Sequence, residues 1–179
     1  ATMVEVFSDN ASIQNAIDVS SDTAGATITV QAGTYVGDLD ITKDNLELTG
    51  DDKSTTIIKG VANVDSALFP LAAANINILG DDVSIHDFTI EGPDKQAGKY
   101  SSGMVIGGDN VQIYNNNIKV TNADTLDDIS QGIQTYRDAV NPTGGDIDGL
   151  NIHDNDFTAL GTGTAGYEAI FINHVSSGD

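Results

Sequence analysis

The chain has 179 residues, of which 27 are acidic and 7 are basic, so its formal net charge is −20 at pH 7. Such a surface repels nucleic acid and anionic membranes, which excludes both as partners at ordinary salt. The chain contains no run of about 18 apolar residues, so no membrane-spanning helix is predicted. Hydrophobic residues make up 39% of the chain, enough for one folded domain, and the absence of cysteine excludes disulfides and thiol chemistry.

The first predicted element is a short amphipathic helix at Ala11–Ser21, which follows the capping sequence Ser8-Asp9-Asn10. Ile13, Ala16 and Ile17 have the spacing of one helix face. A helix over the first coil of a repeat fold would cover its open end. We therefore predict an N-terminal capping helix.

A short phrase then recurs along the chain and predicts stacked strands. It begins at Gly80, Gly108 and Asp148, and a weaker relative begins at Lys43. In the three later copies, apolar residues alternate with polar ones from Val83 and its equivalents onward. The alternation predicts strands, and the recurrence predicts a solenoid whose coils share one core.

The spacing between copies favours a parallel β-helix. The shortest copy has 28 residues, whereas a propeller blade needs about 40–45. Longer copies contain extra polar stretches at Thr121–Ser130 and Asp138–Asp146. We therefore predict an all-β fold, a right-handed single-stranded parallel β-helix with extruded loops, forming one domain over residues 1–179. Antiparallel hairpins are the rival, although the turns they favour are scarce.

Two further patterns complete the predicted coils. A third strand precedes each phrase, at Ile76–Ile78 and Met104–Ile106, with Ile133 and Ile170–Ile172 as later members. Asn116 and Asn155 occupy the same offset and predict a ladder of stacked asparagines at a turn.

The last residues begin another coil at Ile170 and end at Gly178-Asp179 without a visible cap. We expect a truncated piece of a longer protein, or a partner that covers this end. An exposed coil would also pair with a second copy, which predicts a homodimer through the C-terminal coil.

The opening of the chain resembles that of pectin-lyase-like β-helix proteins, at Ser12–Ile17, Ala26–Tyr35, Leu46–Gly50 and Thr55–Gly60. That superfamily includes pectin esterases, pectate and alginate lyases, mannuronan epimerases and many carbohydrate-binding or cell-surface repeats. The resemblance implies the fold and an extracellular or cell-surface role with polysaccharide. It does not imply one activity, because this fold carries many functions.

The catalytic blocks of the superfamily's enzymes do not match. Pectin esterases carry a Gln-Asp-Thr-Leu-Tyr-like block and then an Asp-Phe-Ile-Phe-Gly-like block. This chain has Gln134-Thr135-Tyr136-Arg137-Asp138 and Asp156-Phe157-Thr158 instead. The Asp-Pro-His-Glu-like block of the epimerases is absent. The resemblance therefore transfers the fold and not a mechanism.

One candidate site is a column formed by His86, Tyr114 and His153, which share an offset in the phrase. Stacked coils would place them about 4.8 Å apart on an outward face, beside Asp87 and Asp154. Such a column could bind a sugar or a metal, or transfer protons at neutral pH. The alternative is that these are ordinary solvated turn positions.

A second candidate site uses the scarce positive charge near the predicted loops. Uronate polymers need their carboxylates neutralised and a C5 proton removed, work for basic and phenolic side chains. The alternative is that these basic residues only keep a loop solvated. The candidates are Lys99, Tyr100 and Arg137 for catalysis, with His86 and His153, and Lys95, Tyr136 and Gln134 for substrate binding, with Tyr114.

Calcium is the third possibility. Aspartates recur at turns, including Asp146 and Asp148, and their oxygen atoms suit Ca²⁺. No EF-hand loop is present, and aspartate is common at turns without any metal. We predict Ca²⁺ as a possible cofactor, with Asp87, Asp154, Asp146 and Asp148 as candidate ligands.

Two functions from different classes follow. The chain is predicted to bind or process an acidic glycan as part of a larger secreted protein and, if it is an enzyme, to be a lyase or an epimerase. The alternative is a non-catalytic structural or adhesive surface module.

Overall fold

The computed structural model describes residues 2–6, 10–61, 72–93, 100–121, 130–136, 147–160 and 167–172. These residues form one helix and sixteen strands. In chain order, the elements are β1 (Thr2–Val6), α1 (Asn10–Val19), β2 (Ala26–Val30), β3 (Gly33–Val36), β4 (Leu39–Ile41), β5 (Leu46–Gly50), β6 (Thr56–Lys59), β7 (Ala72–Ile78), β8 (Ser84–His86), β9 (Thr89–Glu91), β10 (Tyr100–Ile106), β11 (Gln112–Tyr114), β12 (Asn117–Thr121), β13 (Ser130–Thr135), β14 (Asn151–His153), β15 (Asp156–Leu160) and β16 (Tyr167–Ile172).

The strands form three parallel sheets, and each coil contributes one strand to each sheet in turn. Sheet A has the order β1-β2-β5-β8-β11-β14, sheet B the order β3-β6-β9-β12-β15, and sheet C the order β4-β7-β10-β13-β16. All strand pairs of the described residues are parallel. The predicted right-handed parallel β-helix is confirmed, and the antiparallel rival is wrong.

The core consists of apolar side chains that stack from coil to coil. On sheet A, Ile28, Leu48, Ile85 and Ile113 pair in register and are fully buried. Every second residue of a strand points to the same face, so the alternation seen in the sequence places one stripe inside. Burying this stripe supplies the main stabilisation of the fold.

The predicted asparagine ladder lies at the turn between sheets A and B. Asn116 Oδ1 accepts a hydrogen bond from Phe88 N at 3.0 Å, and Asn155 Oδ1 accepts one from Asn116 N at 3.0 Å. The residue before each asparagine has a left-handed backbone, with φ of 52° at Asn115 and 55° at Asp154. The ladder therefore satisfies backbone donors inside the turn.

A second ladder, which we call the aspartate ladder, lies just before sheet A and consists of Asp44, Asp81, Asp109 and Asp148. Each of the first three carboxylates accepts a hydrogen bond from the backbone N–H of the next member, at 2.8–2.9 Å. The turn aspartates of the sequence thus have a structural role, because they tie successive coils together.

Helix α1 covers the first coils, as predicted, although it begins at Asn10 and ends at Val19 instead of spanning Ala11–Ser21. Ile13 and Ile17 are fully buried, and Ser20 N bonds to Ile17 O at the helix end. The Gln14 side chain bonds to both backbone polar groups of Asp40, at 2.9 and 3.0 Å, which occupies the open edge of β4. Within the described residues, no helix is long and apolar enough to cross a membrane.

The two ends of the β-helix differ from its middle coils. Strand β1, which the sequence did not predict, pairs with β2. In the last described coil, apolar side chains remain partly open, and Ile170 and Ile172 are 41% and 61% exposed. Dimerisation through this coil and truncation of the chain stay predictions.

Candidate functional site

Polar side chains replace apolar ones at the beginning of the sheet C strands. Strand β7 has Ala73 and Ala74 at two positions where β10, β13 and β16 have polar pairs. Gln134, further along β13, follows the core residue Ile133 and so faces away from the core. We call these side chains the sheet C cluster: Ser101, Ser102, Ser130, Gln131, Gln134, Tyr167 and Glu168. Successive residues of a strand point to opposite faces, so Ser101, Ser130 and Tyr167 lie on the other face of the sheet from Ser102, Gln131 and Glu168.

The members of the sheet C cluster are withdrawn from solvent to different degrees. The residues of β10 and β13 are only 0–2% exposed. Tyr167 and Glu168 on β16 are half-buried, so the cluster is accessible from this side. Burial of so many polar groups is unusual unless hydrogen bonds compensate for the lost water.

Two hydrogen bonds link strands within the cluster. Gln131 Nε2 donates to Glu168 Oε2 at 2.9 Å, and the Ser102 hydroxyl donates to Gln134 Oε1 at 3.2 Å. The first bond fixes the Glu168 carboxylate from the neighbouring coil. Glu168 is the carboxylate of the cluster and the group best suited to act as a base there.

Other polar atoms of the cluster lack a partner. Gln131 Oε1, the Ser101 hydroxyl and the Tyr167 hydroxyl are buried without a hydrogen bond, as is Asn75 Oδ1 on β7. Each such atom costs about 1–3 kcal/mol. Burial also raises the pKa of Tyr167. The unpartnered atoms found in the described residues all belong to strands of sheet C.

The structure places some of the predicted loop residues and not others. Gln134 belongs to the sheet C cluster. Tyr100 begins β10, whereas Tyr136 follows the end of β13, and its N–H bonds to Ile106 O at 2.9 Å. Because β10 and β13 are parallel neighbours, these two tyrosines lie at opposite ends of the strands, about 20 Å apart. The remaining predicted residues, Lys95, Lys99, Arg137 and Asp146, lie outside the described residues.

Sequence reasoning missed Ser102, Gln131 and Glu168. The signal was available, because the predicted third strands already aligned Met104, Ile133 and Ile170. Extending that alignment two residues backward brings the three missed residues into one column. Their identities differ from coil to coil, so no repeated motif revealed them.

The predicted column of His86, Tyr114 and His153 is present on sheet A. Strand register pairs the three residues directly. The ring centroids of His86 and Tyr114 are 4.4 Å apart, those of Tyr114 and His153 are 5.2 Å apart, and the rings are stacked. The prediction of stacking is confirmed, although His86 is only 9% exposed and not a freely solvated turn residue.

Three imidazole nitrogens of this column have protein partners. His86 Nδ1 lies 2.6 Å from Asp87 Oδ2, His86 Nε2 lies 3.3 Å from Glu47 Oε1, and His153 Nδ1 lies 2.8 Å from Asp154 Oδ2. Burial, together with the negative charges of Glu47 and Asp87, raises the pKa of Tyr114. Both ring nitrogens of His86 are thus bonded within the protein, which indicates a structural role for this end of the column.

The candidate metal ligands are dispersed among these features. Asp87 and Asp154 each contact the adjacent histidine, and Asp148 belongs to the aspartate ladder. In the part of the chain that the structure describes, no group of three or more His, Cys, Asp or Glu side chains is arranged to hold a metal ion. Calcium binding stays a prediction.

A sequence model of the pectinesterase family matches residues 5–150. This range includes most of the coils and Gln131 and Gln134 of the sheet C cluster. No curated protein matches the chain.

Solved structures with the same fold include three pectin methylesterases. One is from carrot, with a TM-score of 0.51 and 16% identity over 89% of this chain and 67% of that structure. A pectin methylesterase mutant in complex with hexasaccharide IV has a TM-score of 0.56 and 15% identity, over 88% of this chain and 66% of that structure. Pectin methylesterase PemA from Erwinia chrysanthemi has a TM-score of 0.53 and 18% identity, over 74% of this chain and 48% of that structure. The chain thus spans about two thirds of the first two structures and about half of the third, and at these identities the likeness concerns the fold.

Proposed function

Because the chain belongs to the pectinesterase family, we propose that it binds a pectin-type glycan at the sheet C cluster and hydrolyses methyl esters there. The family is one of carbohydrate esterases, so the sequence-based expectation of a lyase or an epimerase is corrected to an esterase. Action on pectin also agrees with the expected acidic-glycan substrate and extracellular location, which remain part of the proposal.

The observation that carries this proposal is the hydrogen-bonded pair of Glu168 and Gln131 on a half-open polar surface. Ester hydrolysis needs a base for water and hydrogen-bond donors for the oxyanion. Glu168 takes a proton from water as the water oxygen adds to the ester carbonyl carbon. The amide groups of Gln131 and Gln134 donate to the oxyanion. Collapse expels methoxide, which receives the proton from Glu168 and leaves as methanol.

The charge of the chain suits an esterified substrate. A methyl-esterified uronate is neutral, whereas its hydrolysis product is a carboxylate. A net charge of −20 repels that product at low salt. The repulsion favours binding of esterified stretches and release of de-esterified ones, and salt should weaken this preference.

A non-catalytic glycan-binding module is the second candidate, and one observation favours it. Neither catalytic block that the resemblance to pectin esterases implied is present at Gln134–Asp138 or Asp156–Thr158. In this case the sheet C cluster holds the glycan without turning it over.

Methanol release from highly methyl-esterified pectin, measured beside retention on immobilised pectin, separates the two functions. We expect the wild type to release methanol and Glu168→Gln to release at least about 100-fold less, because the base is lost. The glutamine keeps an acceptor for Gln131, so the fold should persist. Glu91→Gln on sheet B, beside Lys119, is the control and should match the wild type.

Retention without methanol release would reject the esterase in favour of the binding module. The absence of both signals in the wild type would contradict the proposed function altogether.

A further inference from the structure

One turn of the β-helix is longer than its equivalents in the other coils. The turn from sheet A to sheet B has two residues in four coils, whereas residues 51–55, between β5 and β6, form a turn of five. The Asp52 carboxylate accepts hydrogen bonds from the backbone N–H and the hydroxyl of Ser54, and Asp52 O accepts one from Thr56 N at 2.8 Å. These bonds hold the extra residues in one compact conformation. We call residues 51–55 the strap.

The strap extends along the outer face of sheet B toward later coils. Lys53 O accepts a hydrogen bond from the Thr89 hydroxyl, one coil on, at 2.6 Å, and one from Asn117 Nδ2, two coils on, at 3.4 Å. Lys53 Nζ lies 3.3 Å from Asp156 Oδ2, which is three coils on. Thr89, Asn117 and Asp156 are successive register partners in sheet B. The strap therefore spans about 14 Å along the axis of the β-helix.

A contact over this distance changes how a solenoid opens. In a repeat fold each coil contacts its immediate neighbours, so stability is a sum of local contributions and a single coil can open by itself. Within the described residues, the coil of β14, β15 and β16 has a neighbouring coil on one side only. Its side chains Ile170 and Ile172 are 41% and 61% exposed. We therefore expect this coil to open more readily than the middle coils.

We propose that the strap couples the coil of β14, β15 and β16 to the earlier coils and opposes its separate opening. When β15 leaves β12, the ion pair between Lys53 and Asp156 breaks as well, so opening costs more than the contacts with the neighbouring coil alone. Because Glu168 lies on β16 of the same coil, the strap also keeps the proposed reacting carboxylate beside Gln131. The coupling itself does not depend on the proposed function, and its test needs no substrate.

Hydrogen exchange of the free protein, measured by mass spectrometry, reports the opening of each coil separately. The variants are Lys53→Met, Asp156→Asn and the double replacement. The two single replacements change the net charge in opposite directions, so an effect of net charge alone would have opposite signs. The control is Lys119→Met, which removes the same charge and an ion pair of similar length, 3.5 Å to Glu91 Oε1, between two adjacent coils.

We expect the amides of β14, β15 and β16 to exchange about threefold faster in either single variant, which is the effect of a partly exposed ion pair. The amides of β5 and β8 should keep their wild-type rates. The double variant should equal the single variants, because the second replacement removes no further interaction. In about 1 M NaCl the wild type should exchange like the variants, since salt screens the pair. Lys119→Met should leave the rates of β14, β15 and β16 unchanged.

Three results would overturn the coupling. Wild-type exchange in β14, β15 and β16 of both single variants would mean that the ion pair does not restrain this coil. Equal acceleration in all coils would mean that it acts on global stability instead. Additive effects in the double variant would mean that Lys53 and Asp156 do not act as a pair.

Discussion

Asp38 shows how a single carboxyl group can make this fold sensitive to pH. It lies half-buried just before β4, and Val61 N donates a hydrogen bond to its Oδ1 at 3.2 Å. Burial raises the pKa of Asp38 to about 6, the hydrogen bond from Val61 opposes the rise, and the charge of Asp40 adds to it. The folded chain therefore holds this proton more tightly than the unfolded chain.

The replacement Asp38→Asn tests this effect. Between pH 4 and pH 6 the folded wild type binds more protons than the unfolded state, so its free energy of unfolding falls as the pH rises. The asparagine variant keeps an acceptor for Val61 and has no charge to bury. In urea unfolding, the free energy of unfolding of the variant should rise relative to that of the wild type through this window, by about 1 kcal/mol after solvent screening. Above this window the difference between the two should be constant. A difference that does not change with pH would contradict the assignment.

At the level of elements, the two ladders solve the same problem at different cost. The asparagine ladder satisfies turn donors with neutral amides, whereas the aspartate ladder stacks carboxylates about 4.8 Å apart. Like charges at this distance in water repel by about 1 kcal/mol per neighbour. In the aspartate ladder, the stabilisation from the hydrogen bonds is therefore opposed by repulsion between the carboxylates, which cations can screen.

The replacement Asp109→Asn should stabilise the fold at low salt. Its Oδ1 still accepts from Asp148 N and its backbone N–H still donates to Asp81, while two repulsive pairs disappear. Thermal unfolding at low ionic strength should show a gain of about 1 kcal/mol, which vanishes near 1 M NaCl. Asp51→Asn, an exposed change of equal charge outside the ladder, should gain less. A loss of stability in Asp109→Asn would mean that the carboxylate itself is required.

The same ladder allows the calcium prediction to be tested. If Ca²⁺ binds between successive carboxylates, it should raise Tm more than NaCl of equal ionic strength, and Asp109→Asn should reduce that excess. If the two salts raise Tm equally, Ca²⁺ acts only by screening the charges and the calcium prediction is wrong.

How far the sequence predicts the structure depends on whether residue identity repeats from coil to coil. Val83 and Val111 head matching patterns, so the sheet A strands and the stacked column of His86 and Tyr114 could be predicted. Helix α1 could be predicted to within two residues. Gln131 and Glu168 of the sheet C cluster were missed because they have no common motif, and only an extension of the third-strand alignment brings them together.

Considered as a whole, the molecule has two polar surfaces that differ in how their hydrogen bonds are satisfied. On sheet A, the imidazole nitrogens of His86 lie against carboxylates of the protein. On sheet C, Ser101, Gln131 and Tyr167 retain unpartnered atoms. The hydrogen-bonded network around His86 stabilises the fold, whereas on sheet C the half-buried Glu168 is the carboxylate to which we assign the proposed activity.

A crystal structure of Glu168→Gln with a methyl-esterified hexagalacturonide tests that location most directly. We predict an oligosaccharide along sheet C, with a methyl ester beside residue 168. An oligosaccharide bound instead on sheet A, along His86, Tyr114 and His153, would contradict it.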